Sequence, residues 1–362
     1  MKTKQGQDLN KDLKLMFIPV SSPEGMGEYM RSLILAQALA DRFPRARIEF
    51  LLNRHAPYTA ECPFPVTLLD SSPTRATAAV NDAIENMVPD LVVFDASGRK
   101  KQLECAQEVG AAVVFISQHK RKRRRGLRIG RAKVTDLHLV AQPEFIIGPL
   151  GWLERLKCAW FKLPRPKNIG AVFFPPTPDR QERLLAELGL ERGNFLLFSA
   201  GSGGHKWNQG LATDRFLDAA KEANQKTAMP CLLVLGPNYP GETPDVEGVH
   251  CLRSMTPMDF VNVLDAATAA VLGGGDTLLQ AIALGKPTLA VPVSKDQPAR
   301  IRRCVEQGLV LSASLPTLVA AAHNFVTEER QRVLRHKLMQ QTQENGLHLA
   351  MKHMITLIED RL

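Results

Sequence analysis

Two glycine-rich segments in the second half of the chain have residue types that suit a phosphate-bearing ligand. The first is SAGSGGHKW at 199–207, directly after a predicted strand and before a predicted helix. Glycines there let the backbone approach an anion, and free N–H groups can point at phosphate oxygens. The residues predicted to bind phosphate are Gly201, Ser202, Gly203, Gly204, His205 and Lys206. The segment does not match GxxxxGK[ST], which argues against a Walker-type nucleoside triphosphatase. The alternative is a tight turn with an exposed lysine.

The second segment is LGGGDTLLQAIALGKPTLAVPVSKDQPARI at 272–301. Its glycines precede Asp276 and Thr277, which are predicted at a helix N-cap, where the helix dipole favours an anion. Polar side chains at such helix starts can bind the hydroxyls of a ribose and a sugar. The residues predicted to form this binding site, by backbone or side chain, are Gly274, Gly275, Asp276, Thr277, Gln280, Asp296 and Gln297. The alternative is an ordinary βαβ unit with polar caps.

The net charge of +9 is concentrated in one place. The segment KRKRRRGLRIGRAK at 120–133 carries nine Lys or Arg and no acid, so the rest of the chain is neutral. Six adjacent like charges repel one another, which predicts an open loop over Lys120, Arg121, Lys122, Arg123, Arg124 and Arg125. The expected partner is anionic: a membrane surface, a phospholipid-linked acceptor or a polyanion. Nucleic-acid binding ranks second, because no recognition-helix pattern surrounds the run and aromatic residues are few.

Aromatic and basic residues alternate in GWLERLKCAWFKLPR at 151–165. This composition is typical of an amphipathic helix at a membrane interface. We therefore predict that Trp152, Trp160 and the basic run contact the acceptor or a membrane surface. The alternative, a linker helix packed between domains, stays open.

The composition limits the class of protein. Apolar residues make up 44% and charged residues 23% of 362, which predicts a folded chain of about two domains. The six cysteines are scattered singly, which argues against a zinc ribbon or a disulfide framework and fits a reducing cytosol. No signal peptide, membrane-spanning stretch, DxD motif or metal-ligand spacing is visible in the sequence. We expect a cytoplasmic protein, peripheral at the inner face of the membrane, without a metal or cofactor.

The positions of these motifs require alternating strands and helices. Short β-rich runs alternate with helical patterns, which indicates βα units around parallel sheets. Five prolines in 18 residues at 163–180 predict the connection between two domains. We therefore predict an α/β protein with two Rossmann-like domains that face each other across a cleft. The predicted bounds are 1–165, 166–345 and a C-terminal helix at 346–362, and the predicted strands lie at 13–20, 47–52, 66–69, 90–95, 111–117, 194–204, 231–236, 250–252, 269–275 and 288–293.

The 272–301 segment resembles the donor-binding motif of GT-B glycosyltransferases. The similarity is greatest to the bacterial family that adds N-acetylglucosamine to the lipid-linked peptidoglycan precursor. The matching positions are Gly273-Gly274-Gly275, Thr277, Gly285-Lys286-Pro287 and Asp296-Gln297. The family has Glu for the ribose hydroxyls where this chain has Gln280, and an amide binds a hydroxyl less strongly than a carboxylate does. The resemblance implies the GT-B fold and a nucleotide-sugar donor.

The chain also resembles the lipopolysaccharide heptosyltransferases. The matching segments are GMGE (25–28), FPRARI (43–48) and GSGGHKW (201–207). This resemblance spans most of the chain in outline, and it implies the same superfamily.

The loop after the first predicted strand carries the candidate base. In related sugar-nucleotide enzymes this loop often reads GxGH, whereas this chain has Glu28, and the heptosyltransferases similarly use an acid. A transfer with inversion needs a base that takes the proton of the acceptor hydroxyl. We predict Glu28 as this base, Asp95 as the reserve base, and Arg31 as a contact to phosphate or acceptor. Alternatively Glu28 caps its helix, since acids favour the first turn.

These features predict an inverting, metal-independent glycosyltransferase. Its donor is a nucleotide diphosphate sugar, expected to be UDP-linked, and its acceptor is an anionic or lipid-linked component of the cell envelope. Two alternatives stay open. A hydrolase of the same fold would use water as acceptor, but its relatives rely on the GxGH histidine, which is absent here. A non-catalytic anion-binding or nucleic-acid-binding module would keep the fold, and the departures at Glu28 and Gln280 favour it.

Overall fold

The computed structural model describes residues 12–21, 26–56, 58–208, 210–340 and 344–361. Gly25 of the GMGE motif lies outside these residues. The chain divides into two compact units. The first comprises the residues up to Val172 together with those from Gly346 onward, and the second is Phe173–Asn345.

A parallel sheet, with seven strands among the described residues, forms the centre of the first unit. Its strands are β1 (Lys14–Pro19), β2 (Arg47–Asn53), β3 (Val66–Leu69), β4 (Leu91–Asp95), β5 (Ala112–Ser117), β6 (Leu137–Val140) and β7 (Lys167–Asn168). Their order is β3-β2-β1-β4-β5-β6-β7, so the chain reverses direction across the sheet between β1 and β4. Every residue of β4 and β5 is buried, as expected for parallel strands that are covered on both faces.

Helices lie between most successive strands of the first unit, which is the pattern of βα units. They are α1 (Gly27–Arg42), α2 (Thr77–Met87), α3 (Lys100–Glu108), α4 (Lys120–Gly126), α5 (Ile129–Ala132), α6 (Glu144–Ile147) and α7 (Trp152–Trp160), with a short 3-10 turn at Thr59–Glu61. Helix α4 corrects the prediction of an open loop over 120–125. Lys and Arg have good helix propensity, and ion pairs of Lys122 with Glu28 and of Arg124 with Glu154 offset part of the repulsion.

The second unit repeats the same architecture. Its strands are β8 (Leu196–Ser199), β9 (Lys206–Trp207), β10 (Gly210–Leu211), β11 (Cys231–Val234), β12 (Val249–Leu252), β13 (Ala269–Gly273), β14 (Thr288–Val291) and β15 (Leu311–Ser312). Strands β9 and β10 form an antiparallel pair, and the others form a parallel sheet in the order β12-β11-β8-β13-β14-β15. Its helices are α8 (Pro178–Leu188), α9 (Ala212–Thr227), α10 (Pro257–Ala266), α11 (Asp276–Ala283), α12 (Gln297–Glu306), α13 (Leu318–Phe325) and α14 (Glu328–Gln340). The terminal helix α15 (Gly346–Glu359) follows in the chain and returns to the first unit.

The first unit extends beyond residue 165, and the terminal helix belongs to it. Strand β7 pairs with β6 and so adds Lys167 and Asn168 to the first sheet. The backbone N–H of Gly346 donates to the carbonyl of Ala171 over 2.7 Å, and α15 packs against α1. Among the described residues, no helix is long and apolar enough to cross a membrane.

Candidate functional site

The two glycine-rich segments of the second unit meet at the carboxyl ends of adjacent strands. Ser199 at the end of β8 pairs in register with Leu272 of β13. From β8 the chain continues to β11 on one side, and β13 lies on the other side. This is a topological switch point, the place where open α/β sheets bind ligands. The structure therefore brings together the loop at 200–205 and the turn at 273–276.

The loop after β8 is held by close backbone packing. Gly201 and Gly203 have φ of 98° and 87°, a conformation that strongly favours glycine. A Cβ added at Gly203 would overlap the carbonyl oxygen of Leu235, which follows β11. The backbone N–H of Asn238 donates to the carbonyl of Ser202 over 2.8 Å. These constraints fix the path of the loop and leave its N–H groups in a set orientation.

The N–H groups of this loop have donor capacity to spare. Those of Ser202, Gly203 and Gly204 donate to no described residue. Lys206 is exposed and makes no ion pair with any residue that the structure describes. The sequence predicts that the loop leads into a helix. In the structure the β9–β10 pair lies between the loop and α9. Spare N–H donors beside a lysine can bind an anion with two or more oxygens.

The turn after β13 is organised by the helix that follows β14. The side-chain oxygen of Gln297 accepts from the N–H of Gly274 over 3.0 Å and from the N–H of Val293 over 2.8 Å. Arg300 donates from Nη1 to the carbonyl of Gly274 over 2.7 Å. Gln297 is buried, so its carbonyl oxygen joins the two loops instead of being open to a ligand.

The start of α11 presents two polar side chains. Gly275 is the N-cap and Asp276 the first helical residue, so the helix begins before Thr277. The side chains of Thr277 and Gln280 are half-buried and form no hydrogen bond with a described residue. Asp296 is exposed and accepts from Ser294 Oγ over 2.6 Å. Thr277 and Gln280 are therefore the side chains of this segment that can take new partners.

In the first unit, the switch point between β1 and β4 holds a buried ion pair. Arg31 on α1 donates from Nε to Oδ2 of Asp95 over 2.8 Å and from Nη2 to Oδ1 over 2.7 Å. Asp95 is completely buried, which raises its pKa to about 6, and the guanidinium opposes that rise. The burial contradicts the predictions of Asp95 as reserve base and of Arg31 as ligand contact. The two residues position each other.

Glu28 lies in the first turn of α1, beside this pair. Its Oε1 accepts from Nε2 of Gln118 over 2.7 Å and from Nζ of Lys122 over 3.2 Å. Both of these partners lie outside α1, so the bonds of the carboxylate to described residues go to other elements. Gln118 also accepts from Nη1 of Arg31 over 3.1 Å. Gln118 is not among the site residues predicted from the sequence, although its place after β5 puts it at the same edge of the sheet.

The six basic residues at 120–125 have different environments. Arg123 is 1% exposed and donates to the carbonyls of Gly148 and Pro149 over 2.6 and 3.1 Å. It therefore has a structural role, which corrects its assignment to the acceptor or membrane surface. Lys122 pairs with Glu28. The remaining four line a surface pocket of about 340 Å³ with one further arginine: Lys120, Arg121, Arg124, Arg125 and Arg128.

Helix α7 is exposed along most of its surface. Trp152 and Trp160 are 68% and 77% exposed, and Cys158 is its buried residue. The packed linker helix, the alternative from the sequence, would bury these tryptophans. Among the described residues, no group of three or more His, Cys, Asp or Glu could hold a metal ion.

No protein-family model matches the chain, and no curated protein matches its sequence. Its structure is similar to that of the glycosyltransferase SnogD from Streptomyces nogalater, with a TM-score of 0.64, 18% identity, and 96% of this chain and 100% of that chain covered. For LpCGTa in complex with UDP the TM-score is 0.66 at 12% identity, with 96% of this chain and 99% of that chain covered. For UGT89C1 from Arabidopsis thaliana, complexed with UDP-L-rhamnose, the TM-score is 0.61 at 13% identity, with 97% of this chain and 100% of that chain covered.

These comparisons support neither of the two narrower family resemblances over the other. They cover nearly the whole chain, and at such low identity they carry the fold alone. The two parallel-sheet α/β units and the similar solved structures confirm the predicted fold class: the chain has the GT-B glycosyltransferase fold.

Proposed function

We propose that the protein is a glycosyltransferase that takes a sugar from a UDP-sugar. The observation that carries this proposal is the group of N–H donors at Ser202, Gly203 and Gly204 that bond to no described residue, beside Lys206, at the switch point of the second unit. A diphosphate needs several donors and positive charge in one place. The similarity to two structures that contain UDP or UDP-L-rhamnose supports uridine as the nucleoside.

The second half of the donor would bind at the start of α11. Thr277 and Gln280 have side chains without described partners, and the N-terminal dipole of α11 favours the negative phosphates. We assign these two residues to the hydroxyls of the ribose and the sugar. Gln297 and Arg300 hold the turn that presents them.

The chemical step we propose is a single displacement. The hydroxyl oxygen of the acceptor attacks the anomeric carbon, and the bond from that carbon to the phosphate oxygen breaks, which inverts the configuration. The nucleoside diphosphate leaves with the bonding electron pair, and the loop N–H groups and Lys206 stabilise its charge without a metal. Glu28 accepts the hydroxyl proton on Oε2, which takes no hydrogen bond from a described residue.

We propose the chemical class of the acceptor from the positive charge of the surface near Glu28. Five basic side chains line the pocket on α4, and the same helix supplies Lys122 to Glu28. An anionic acceptor, lipid-linked or part of the cell envelope, fits a base that lies beside such a pocket. Contact with the inner face of a membrane through 120–133 follows from the same observation.

A thermal-shift screen against UDP-, ADP-, GDP- and dTDP-sugars tests the proposal. A ligand at 100 times its Kd adds about 2.7 kcal/mol to the stability of the folded protein. We expect UDP-sugars to raise the melting temperature most. If none of the four classes does so, the non-catalytic anion-binding module becomes the better account. Release of free sugar without an acceptor, as fast as transfer, would instead favour the hydrolase.

A further inference from the structure

Helix α7 carries an apolar stripe that no described part of the chain covers. Trp152, Leu153, Leu156 and Trp160 are each more than half exposed. At 3.6 residues per turn they lie within an arc of about 100° on one side of the helix. The buried side chain, Cys158, lies on another side. The stripe therefore faces away from the protein.

Basic residues border the stripe on both sides. Arg155 and Lys157 occupy the helix positions next to the apolar arc, one on each side, by the same helical geometry. Long basic side chains in such places can lie along an apolar surface while their charged ends stay in water. A helix with tryptophans at its ends, leucines between and flanking cations has the composition of an interfacial helix.

Ion pairs connect α4, which carries most of the basic pocket, to α7. Glu154 of α7 forms ion pairs with Arg123 over 3.5 Å and with Arg124 over 3.7 Å. Lys133 lies over the ring of Phe161 at 6.0 Å, just after α7 ends. Of the pocket's five cations, Lys120, Arg121, Arg125 and Arg128 form no ion pair with a described residue. These charges lack a counter-charge within the described protein.

We propose that α7 and the pocket on α4 together form a docking surface for an anionic phospholipid bilayer. The apolar stripe enters the interface, and the pocket binds the phosphates of lipid headgroups. A bilayer supplies an apolar layer and negative charge side by side, which is the pairing this surface presents. A second copy of the chain would place equal basic pockets near each other, and an RNA would leave the leucines in water. The inference deepens the proposed function, on which it rests for the location of the acceptor.

Vesicle flotation of the full chain with three variants tests this surface. The probe is a phosphatidylcholine vesicle with roughly one-third phosphatidylglycerol. Arg121→Ser/Arg125→Ser/Arg128→Ser removes three unpaired cations, and we expect roughly 10²-fold weaker partitioning, since each basic residue near the surface contributes about fivefold. Trp152→Ser/Trp160→Ser should weaken partitioning at least as much. The control Arg302→Ser/Arg330→Ser/Arg332→Ser removes the same charge from the second unit and should bind like the wild type.

Tryptophan fluorescence reports insertion directly. Trp152 and Trp160 are two of the three tryptophans, and Trp207 is the third. With Trp207→Phe we expect the emission to shift to shorter wavelength on addition of anionic vesicles, and not with neutral ones. Flotation without this shift would overturn the proposal, as would equal binding of all three variants. If the protein does not float but self-associates, and the same substitutions abolish self-association, the surface binds a second copy of the chain. If they abolish RNA binding instead, it binds RNA.

Binding of UDP to the variants Arg121→Ser/Arg125→Ser/Arg128→Ser and Trp152→Ser/Trp160→Ser separates this inference from the proposed function. The substituted residues lie in the first unit and the donor loops in the second, so UDP affinity should not change. Loss of flotation with intact UDP binding supports the docking surface. Intact flotation with no UDP binding by the wild type would leave the docking surface standing and contradict the proposed function.

Discussion

The side-chain amide of Gln118 donates to the carboxylate of Glu28 over 2.7 Å and accepts from Arg31 at its other end. Arg31 is in turn fixed by the buried carboxylate of Asp95. A continuous series of hydrogen bonds therefore runs from the core of the first unit to the proposed base. In the proposed mechanism this arrangement gives the two acids different roles: Asp95 orients Arg31, and Glu28 takes the proton.

Substitution of the proposed base should slow transfer without affecting the donor. Glu28→Gln keeps the size of the side chain and removes its ability to take a proton, so we expect turnover to fall on the order of 10²–10⁴-fold. Binding of UDP should stay within about twofold, because Glu28 lies in the other unit. Rapid-quench kinetics and UDP titration measure the two effects. Unchanged turnover would show that Glu28 is not the base.

Removal of one partner from the buried pair should cost stability. Asp95→Asn leaves Arg31 buried without its counter-charge, and we expect a loss of about 3–5 kcal/mol in the free energy of unfolding. Arg31→Met/Asp95→Leu removes both charges and should recover much of that loss. Urea denaturation followed by circular dichroism measures it. An Asp95→Asn protein as stable as the wild type would contradict this role of the pair.

Buried His138 predicts a loss of stability in acid. It is 2% exposed on β6, and burial lowers its pKa to about 3, with Arg123 and Arg131 acting in the same direction. Because the folded value lies below the unfolded one, the unfolded chain binds the proton first. Stability should therefore fall by about 1.4 kcal/mol per pH unit between roughly 6.5 and 3.

The variant His138→Asn isolates this contribution. Asp95, whose pKa is raised to about 6, acts with the opposite sign, because its stabilisation is present at low pH and lost as pH rises through 6. That contribution is common to both proteins, so the difference between their slopes belongs to His138. Urea denaturation at several pH values gives the slopes. Identical slopes would contradict a neutral, buried His138.

The phosphate loop should not tolerate a side chain at Gly203. Gly203→Ala combines a positive φ with an overlap against the carbonyl of Leu235, so we expect it to displace the loop and lower UDP affinity at least tenfold. Gly193→Ala is the matched control, since its φ is also positive and its Cβ would meet no atom within 4 Å. It should cost about 1–2 kcal/mol of stability and leave UDP affinity unchanged.

The sequence predicts the elements better than the side-chain contacts. The strand predictions overlap β1 to β5 because parallel strands covered on both faces read as continuous apolar runs. The glycine-rich loops could be predicted because their backbone conformation restricts which residue types can occupy them. Strand β6 was missed because it is four residues long and has a histidine inside it.

Partners distant in sequence could not be predicted. Lys122 and Arg123 are neighbours in one basic run, yet one pairs with Glu28 and the other is buried against Gly148 and Pro149. Nothing in the run itself distinguishes them. Which face of α4 turns inward is decided by packing against elements about 25 and 94 residues away.

The most direct test of the account is a calorimetric titration of UDP and of uridine into the wild type and into Lys206→Ala. The account predicts that UDP binds the wild type more tightly than uridine does, because the loop at 201–206 holds the diphosphate. Lys206→Ala should weaken UDP by about tenfold and leave uridine unchanged, whereas the control Lys352→Ala should alter neither. Equal weakening of both ligands, or no binding of UDP by the wild type, would contradict the central claim.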